Sequence, residues 1–226
     1  MKRMKMFKLL TSAAIATVLT GCLIPEPTRT VMVMGDSIMQ QQVANFGVQL
    51  QARDNAPLLF NNAMGGSGAA YEGQGVYWAG RIRASRDRAY DLDIIFVSLG
   101  TNDGTVYGDN VSELLIDFPI AIDTIMAETV GLEVYWQPPS RESLARNSQS
   151  IRDMLFAAAE VYDNLTIVEM DDGLLANDMV HLSRHGEGVM IKKFLNILGY
   201  NLFGAVVEEE VVEEEVVDLT SHPESL

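Results

Sequence analysis

The sequence predicts a three-layer α/β/α sandwich built around a five-stranded parallel sheet. Five short runs have the length of strands and are apolar at successive positions, as strands covered on both faces are. Segments with apolar residues at helical spacing lie between these runs. Strands that alternate with helices favour a doubly wound sheet, which carries helices on both faces.

Each predicted strand and helix rests on its own pattern. The five strands are VMVM from Val31, PLLF from Pro57, IIFV from Ile94, EVYW from Glu133 and LTIV from Leu165. The helix after the first strand has apolar residues at Met39, Val43, Phe46 and Leu50. The helix after the last strand has them at Ile191, Phe194, Leu195, Leu198 and Leu202. Right-handed crossovers then place the loops that follow the strands along one edge of the sheet, where such folds bind ligands.

Composition and charge limit the number of domains and the class of partner. The chain has 226 residues, of which 48% are hydrophobic and 21% charged, and it fits one globular domain at residues 28–204. The formal net charge is −15, and eight of the acidic residues lie in the low-complexity segment 205–226. That segment is expected to be a solvated tail. The remainder is mildly acidic, which argues against a nucleic acid as partner.

The N-terminus has the pattern of a targeting segment. Its basic residues, which precede a short apolar run, are Lys2, Arg3, Lys5 and Lys8. The apolar run ends in LTGC, at Leu19–Cys22, which resembles the cleavage box of bacterial lipoproteins. The resemblance implies a signal peptide at residues 1–21, lipidation of Cys22 and a short tether at residues 22–27. The alternatives are an ordinary signal peptide and an uncleaved anchor.

The same resemblance predicts where the protein resides. A lipidated Cys22 would anchor the domain to a membrane of the bacterial cell envelope, outside the cytoplasm. Leu23 occupies the position after Cys22 at which an Asp would signal retention in the inner membrane. By resemblance to Gram-negative lipoproteins, the periplasmic side of the outer membrane is therefore expected.

Polar loops follow four of the five predicted strands. They are Gly35-Asp36-Ser37 after the first strand, Asn61–Ala70 after the second, Gly100–Asp103 after the third and Asn177–Ser183 after the fifth. A nucleophilic hydrolase needs a hydroxyl, a base within hydrogen-bond reach, a carboxylate that orients the base, and donors for the developing oxyanion. The loops supply this set as Ser37, His181, Asp178 and Asn102.

These four blocks, in this order, resemble the SGNH, or GDSL, hydrolase superfamily. The resemblance covers Thr28 to about Gly204 and implies a flavodoxin-like SGNH hydrolase fold and a serine esterase. When the roles of the family's residues are carried over position by position, the resemblance implies that Ser37 is the nucleophile and His181 the base. Asp178 is then the acid that orients the base. It implies that the oxyanion hole is formed by Ser37, Gly66 and Asn102.

Several residues compete for these roles. Gly68 is the alternative to Gly66, depending on how the glycine loop is aligned. GGSGA, at Gly65–Ala69, nearly matches the G-x-S-x-G nucleophile elbow and would make Ser67 the nucleophile. His185 is a rival base, although no carboxylate lies three residues before it. Tyr77 and Trp78 fit either a helix core or a surface that stacks on sugar.

The predicted function is hydrolysis of short-chain esters, acetyl esters above all, by an envelope-anchored serine esterase. Short acyl groups are expected because residues 28–204 leave no long insertion for a lid or a deep acyl tunnel. An O-acetylated envelope or extracellular glycan is the expected carrier for a tethered enzyme. The alternatives are a lipid esterase of the lysophospholipase or thioesterase type and a catalytically silent binding lipoprotein. No cofactor site is predicted, because Gly66 and Gly68 lack a third glycine at the spacing that dinucleotide binding needs. No metal site is predicted, because the chain has three histidines and one cysteine, the latter expected to be lipidated.

Overall fold

The computed structural model describes residues 29–71, 76–88 and 91–200, where strands alternate with helices. The strands are β1 (Thr30–Gly35), β2 (Leu58–Ala63), β3 (Ile94–Ser98), β4 (Glu133–Trp136) and β5 (Leu165–Ile167). The helices are α1 (Ser37–Gln51), α2 (Val76–Asp87), α3 (Thr101–Tyr107), α4 (Val111–Glu128), α5 (Ser148–Ala159) and α6 (Arg184–Ile197). All five predicted strands and the helix after the first strand are therefore confirmed. The helix after the last strand is confirmed as far as Ile197, and Leu202, its last predicted apolar position, lies outside the described residues.

The strands form one parallel sheet in the order β2-β1-β3-β4-β5. Val31 of β1 lies opposite Leu59 of β2 and Ile94 of β3. The chain moves outward from β1 to β2 and then returns to β3 on the other side of β1. The order thus reverses beside β1, and the carboxyl ends of strands at such a switch point form the ligand-binding crevice of doubly wound folds.

Two hydrophobic cores cover the two faces of the sheet. Helices α1 and α6 pack on one face, where Phe96 of β3 contacts Phe194 of α6 with ring centroids 4.4 Å apart. Helices α2, α4 and α5 pack on the other face, around the buried side chains of Trp78, Phe118 and Trp136. The chain therefore has the predicted three layers, and Trp78 belongs to the core instead of forming a surface for sugar.

Strand β2 differs from the prediction that every strand is covered on both faces. Its side chains are exposed or half-buried along the whole strand, and Leu58 is 55% exposed. The cause is the order of the strands, which puts β2 at the edge of the sheet with β1 as its one neighbour. An apolar run can serve an edge strand as well as a central one, so the prediction of burial was wrong here.

Several predictions fall outside the described residues and stay predictions. They concern the signal peptide at residues 1–21, the lipidation of Cys22, the tether at residues 22–27 and the tail at residues 205–226. Within the part of the chain that the structure describes, no helix combines the length and apolar character needed to span a membrane.

Candidate active site

Ser37 is the first residue of α1 and is separated from the end of β1 by Asp36 alone. The carboxylate of Asp36 caps the helix, because its Oδ1 accepts a hydrogen bond from the amide of Ile38 at 2.9 Å. Gly35 permits the tight turn, since a Cβ at this position would lie 2.5 Å from the carbonyl oxygen of Ser98. The turn leaves the Ser37 amide at a helix N-terminus, where amides have no partner within the helix and favour negative charge.

A chain of hydrogen bonds joins Ser37, His181 and Asp178. The Ser37 hydroxyl lies 2.9 Å from Nε2 of His181, and Nδ1 of His181 lies 2.8 Å from Oδ2 of Asp178. The hydrogen bond from His181 holds the pKa of the Asp178 carboxyl at about 2, assisted by the amide of Val180. An ionised Asp178 accepts a hydrogen bond from Nδ1–H of His181, which leaves Nε2 free to accept the hydroxyl proton of Ser37.

The loop that carries Asp178 and His181 is closed by its own backbone. Leu175 and Leu182 form an antiparallel bridge, and the amide of Ala176 donates to the carbonyl of His181 at 2.8 Å. Oδ1 of Asp178 also accepts the amide of His181, at 3.0 Å. These bonds fix the carboxylate and the imidazole relative to each other before any substrate is bound.

The glycine loop after β2 presents one accessible amide without a partner. The amide of Gly65 donates to Oε1 of Gln40, and the amide of Ser67 donates to the carbonyl of Met64. The amide of Gly66 has no partner among the described residues, and Gly66 is exposed with φ of +78°, a conformation that favours glycine. Gly68 is buried instead, and a Cβ there would lie 2.3 Å from the ring of Tyr71. This arrangement favours Gly66 over Gly68 as an oxyanion donor.

Asn102 and Asp103 lie in the first turn of α3 and contact the glycine loop. Nδ2 of Asn102 donates to the carbonyl of Ser67 at 2.9 Å, which leaves its second hydrogen for another acceptor. The buried carboxylate of Asp103 accepts the amides of Ala69 and Ala70 at 2.8 and 2.6 Å. The sequence assigned Asp103 no role beyond that of a turn residue, whereas the structure makes it the link between α3 and the glycine loop.

Of the candidate residues, Ser37, Asp178 and His181 line a cleft of about 470 Å³, whereas Gly66 and Asn102 are not part of its lining. It is lined by Ser37, Gln40, Gln41, Asp178, His181 and Leu182, among others. No group of His, Cys, Asp or Glu side chains within the described ranges has an arrangement that could hold a metal ion. The cleft therefore brings a serine, an imidazole and a carboxylate together with polar amide side chains, which suits acyl transfer through a serine.

Comparisons with known proteins bear on the fold. No protein-family model and no curated protein matches the sequence. Among solved structures, the chain is similar to a catalytic mutant of an acetylxylan esterase from Geobacillus stearothermophilus, with 18% identity and a TM-score of 0.62 over 76% of this chain and 95% of that one. The chain has the SGNH hydrolase fold.

Two further structures share the SGNH hydrolase fold with this chain. One is a GDSL-like lipase from Bacteroides thetaiotaomicron, with 15% identity and a TM-score of 0.54 over 76% of this chain and 88% of that one. The other is a carbohydrate acetylesterase from Sinorhizobium meliloti, with 12% identity and a TM-score of 0.55 over 76% of this chain and 98% of that one. The fold class predicted from the sequence is thereby confirmed.

Within this SGNH hydrolase fold, the rival residues are poorly placed. Ser67 is 1% exposed, and its hydroxyl donates to the carbonyl of Met64 at 2.7 Å. A buried hydroxyl engaged in this way is poorly placed to attack a substrate, which favours Ser37 over Ser67 as the nucleophile. His185 lies in the first turn of α6, and its ring makes no hydrogen bond to another described residue.

Tyr77, the other aromatic residue considered for stacking on sugar, is half-buried. The guanidinium of Arg81 lies 4.3 Å from the centroid of its ring.

Asp36 is a fully buried carboxyl group beside the candidate nucleophile. Its Oδ2 has no hydrogen-bond partner among the described residues. Burial raises the pKa of Asp36 from its ordinary value of 3.8 to about 7, and the carboxylate of Asp103 adds to the increase, while the amide of Ile38 and the side chain of His181 oppose it. Near neutral pH the folded protein therefore holds a proton that the unfolded chain releases.

This proton makes folding stability depend on pH. As pH rises from about 4 to about 7, the unfolded chain loses the proton first, so Asp36 progressively destabilises the folded state. In Asp36→Asn the side chain is neutral in both the folded and the unfolded protein, and its oxygen can still accept the amide of Ile38. We expect it to raise the free energy of unfolding at pH 8 by about 1–4 kcal/mol, and by less at pH 5.

Urea unfolding at the two pH values measures this difference, with exposed Asp54 changed to Asn as the control. A gain in the free energy of unfolding that is equal at pH 5 and pH 8 would contradict the assignment of a buried proton to Asp36.

Proposed function

We propose that the chain is a serine esterase with Ser37 as nucleophile, His181 as general base and Asp178 as the group that orients the imidazole. The observation that carries the proposal is the hydrogen-bonded chain of Ser37, His181 and Asp178 at the cleft. Its position at the carboxyl end of β1, beside the switch point of the sheet, supports it further.

The reaction follows from this geometry in two steps. The Ser37 oxygen attacks the ester carbonyl carbon as its proton passes to Nε2 of His181, and the tetrahedral intermediate collapses when that proton is given to the leaving alcohol. Water then attacks the acylated Ser37, with His181 again taking and returning a proton. The products are the alcohol and the carboxylic acid, and the hydroxyl of Ser37 is restored.

The oxyanion hole of this enzyme is formed by the amides of Ser37 and Gly66 and the side chain of Asn102. The glycine loop lies against the nucleophile, because a Cβ built at Gly65 would be 3.9 Å from Cβ of Ser37. The accessible amide of Gly66 and the second hydrogen of the Asn102 amide are donors that are not fully used within the protein. Such donors, fixed before the reaction, stabilise charge that appears only in the transition state.

The substrates are esters of short acyl groups, acetyl esters first, with a carbohydrate as the alcohol. The cleft is wide open to solvent and carries the polar side chains of Gln40 and Gln41, so it can bury few methylenes of a long acyl chain. Each buried methylene contributes about 0.8 kcal/mol, and a long chain would gain little of this. Two proteins with the same fold are an acetylxylan esterase and a carbohydrate acetylesterase by description, which supports this substrate class.

The dependence of rate on acyl length tests the proposed substrate class. We expect kcat/KM for p-nitrophenyl esters to be highest between acetate and butyrate and to decline toward palmitate. Ser37→Ala, measured in parallel, corrects for hydrolysis that does not use the site. Values that increase steadily beyond butyrate would exclude the short-acyl proposal and support a lipid esterase. No turnover of any ester would support a binding lipoprotein.

The enzyme is further proposed to be anchored to the cell envelope through lipidated Cys22. The support is the LTGC box after a basic and apolar N-terminus. We expect the mature wild-type protein to begin at Cys22 with acyl chains attached, and Cys22→Ser to block both lipidation and normal processing. Mass spectrometry of the N-terminal peptide measures this. A mature wild-type N-terminus without acyl chains would contradict the anchor.

A further inference from the structure

Two neighbouring glutamines of α1 contact the two loops that carry the catalytic groups. Oε1 of Gln40 accepts the amide of Gly65 at 3.0 Å. Nε2 of Gln41 donates to the carbonyl of Leu182 at 3.0 Å. Both glutamines line the cleft, and they follow Ser37 by about one helical turn. The same turn of helix thus presents the nucleophile and holds a loop on each side of it.

The two loops come from opposite edges of the sheet. The glycine loop follows β2 and the histidine loop follows β5, and these are the outermost strands. Gly65 directly precedes Gly66, and Leu182 directly follows His181. Each glutamine therefore bonds to the backbone immediately beside a group that must be aligned with Ser37.

The contact with Gly65 depends on the absence of a side chain at that position. A Cβ at Gly65 would lie 2.7 Å from Oε1 of Gln40, which is closer than real Cβ atoms approach. Replacing Gly65 with alanine would thus push the flexible carboxamide of Gln40 away from the loop and weaken the same hydrogen bond from the other side. The bond can be perturbed through either partner, which gives two independent variants.

We propose that Gln40 and Gln41 are positioning residues with separate tasks. Gln40 holds the glycine loop so that the amide of Gly66 is directed at the oxyanion, and Gln41 holds the histidine loop so that His181 stays within reach of Ser37. This inference rests on the proposed esterase function. It adds two residues that touch neither the acyl carbon nor the transferred proton.

The two tasks predict different kinetic effects. Gln40→Met removes the oxygen that accepts the amide of Gly65 and keeps a side chain of similar size. We expect kcat to fall ~10- to 100-fold with KM little changed, because the oxyanion exists only after attack. Gly65→Ala should act in the same way, and combining it with Gln40→Met should add little. Gln41→Met should also lower kcat, because a displaced imidazole activates Ser37 less well.

A His181→Gln background separates the two tasks. The activity that survives without the base comes from binding and the oxyanion hole. Gln40→Met should therefore lower this residual kcat/KM by nearly the same factor as in the wild type. Gln41→Met should lower it by a much smaller factor than in the wild type, since the group that it positions is absent. Equal factors for Gln41→Met in both backgrounds would overturn its assigned task.

Gln51→Met, at the exposed end of the same helix, is the matched control. We expect all single variants of the full-length chain to keep Tm close to that of the wild type, with kcat of Gln51→Met unchanged. If Gln40→Met and Gln41→Met lower Tm but leave kcat/KM within twofold, the two residues are structural and the proposal is wrong.

Hydrogen exchange keeps the inference testable if the wild type hydrolyses no ester. In that case the proposed function fails, but Gln40→Met should still speed amide exchange at Gly65 and not in residues 176–183. Gln41→Met should do the reverse, because each glutamine holds a different loop. Exchange that is unchanged at both loops, or faster at both loops in both variants, would overturn the proposal.

Discussion

Replacing Ser37 with alanine is expected to abolish ester hydrolysis, with kcat reduced by about 10⁴- to 10⁶-fold. The hydroxyl is the atom that forms the acyl-enzyme, and no other hydroxyl hydrogen-bonds to His181 among the described residues. Because Ser37 is half-buried at the start of α1, the loss of one oxygen should leave the fold intact. Steady-state hydrolysis of p-nitrophenyl acetate measures the effect.

Ser67→Ala is the matched control, since it removes a serine hydroxyl from the neighbouring glycine loop. That hydroxyl donates to the carbonyls of Met64 and Gly35, so its loss affects local packing and not the chemistry. We expect kcat within about tenfold of the wild type. A Ser67→Ala variant as inactive as Ser37→Ala, with both folded, would contradict the assignment of the nucleophile.

Replacing His181 with glutamine is expected to lower kcat by about 10⁴-fold or more while the protein stays folded. An imidazole nitrogen accepts the proton of Ser37, and the glutamine amide has no basic nitrogen that could take its place. The pKa of Asp178 is held at about 2, so its carboxylate is ionised at neutral pH and orients the imidazole of the wild type. Steady-state hydrolysis of p-nitrophenyl acetate by the two proteins measures the effect.

His185→Gln is the control for the base. His185 lies four residues beyond His181, and no hydrogen bond joins its ring to Ser37 or Asp178 among the described residues. We expect its kcat to match that of the wild type. If His185→Gln is the more damaging change, the base has been assigned to the wrong histidine.

The strands and the candidate triad could be predicted from the sequence because their signals are local or ordered along the chain. A buried strand such as β1 appears as a short apolar run, and the residue after it must lie at the edge of the sheet. Ser37, Asn102 and His181 each follow a predicted strand, in one order. Short backbone segments therefore contain most of the information on where these side chains come together.

Features that depend on contacts between distant segments could not be predicted in this way. Gly66 and Gly68 are equivalent in the sequence, and burial and the hydrogen bonds of neighbouring amides distinguish them. The contacts of Gln40 and Gln41 span 25 and 141 residues of chain. The exposure of β2 follows from the order of strands in the sheet, which its own apolar run does not reveal.

Covalent labelling by a fluorophosphonate tests the central claim most directly. The probe reacts with a serine hydroxyl only where a base activates it and donors stabilise the charged oxygen, so it reports the whole site at once. Peptide mapping of the labelled full-length chain is predicted to find one modified residue, Ser37, with labelling lost in Ser37→Ala and strongly reduced in His181→Gln. A label on Ser67, or no label on a folded wild-type protein, would contradict the assignment.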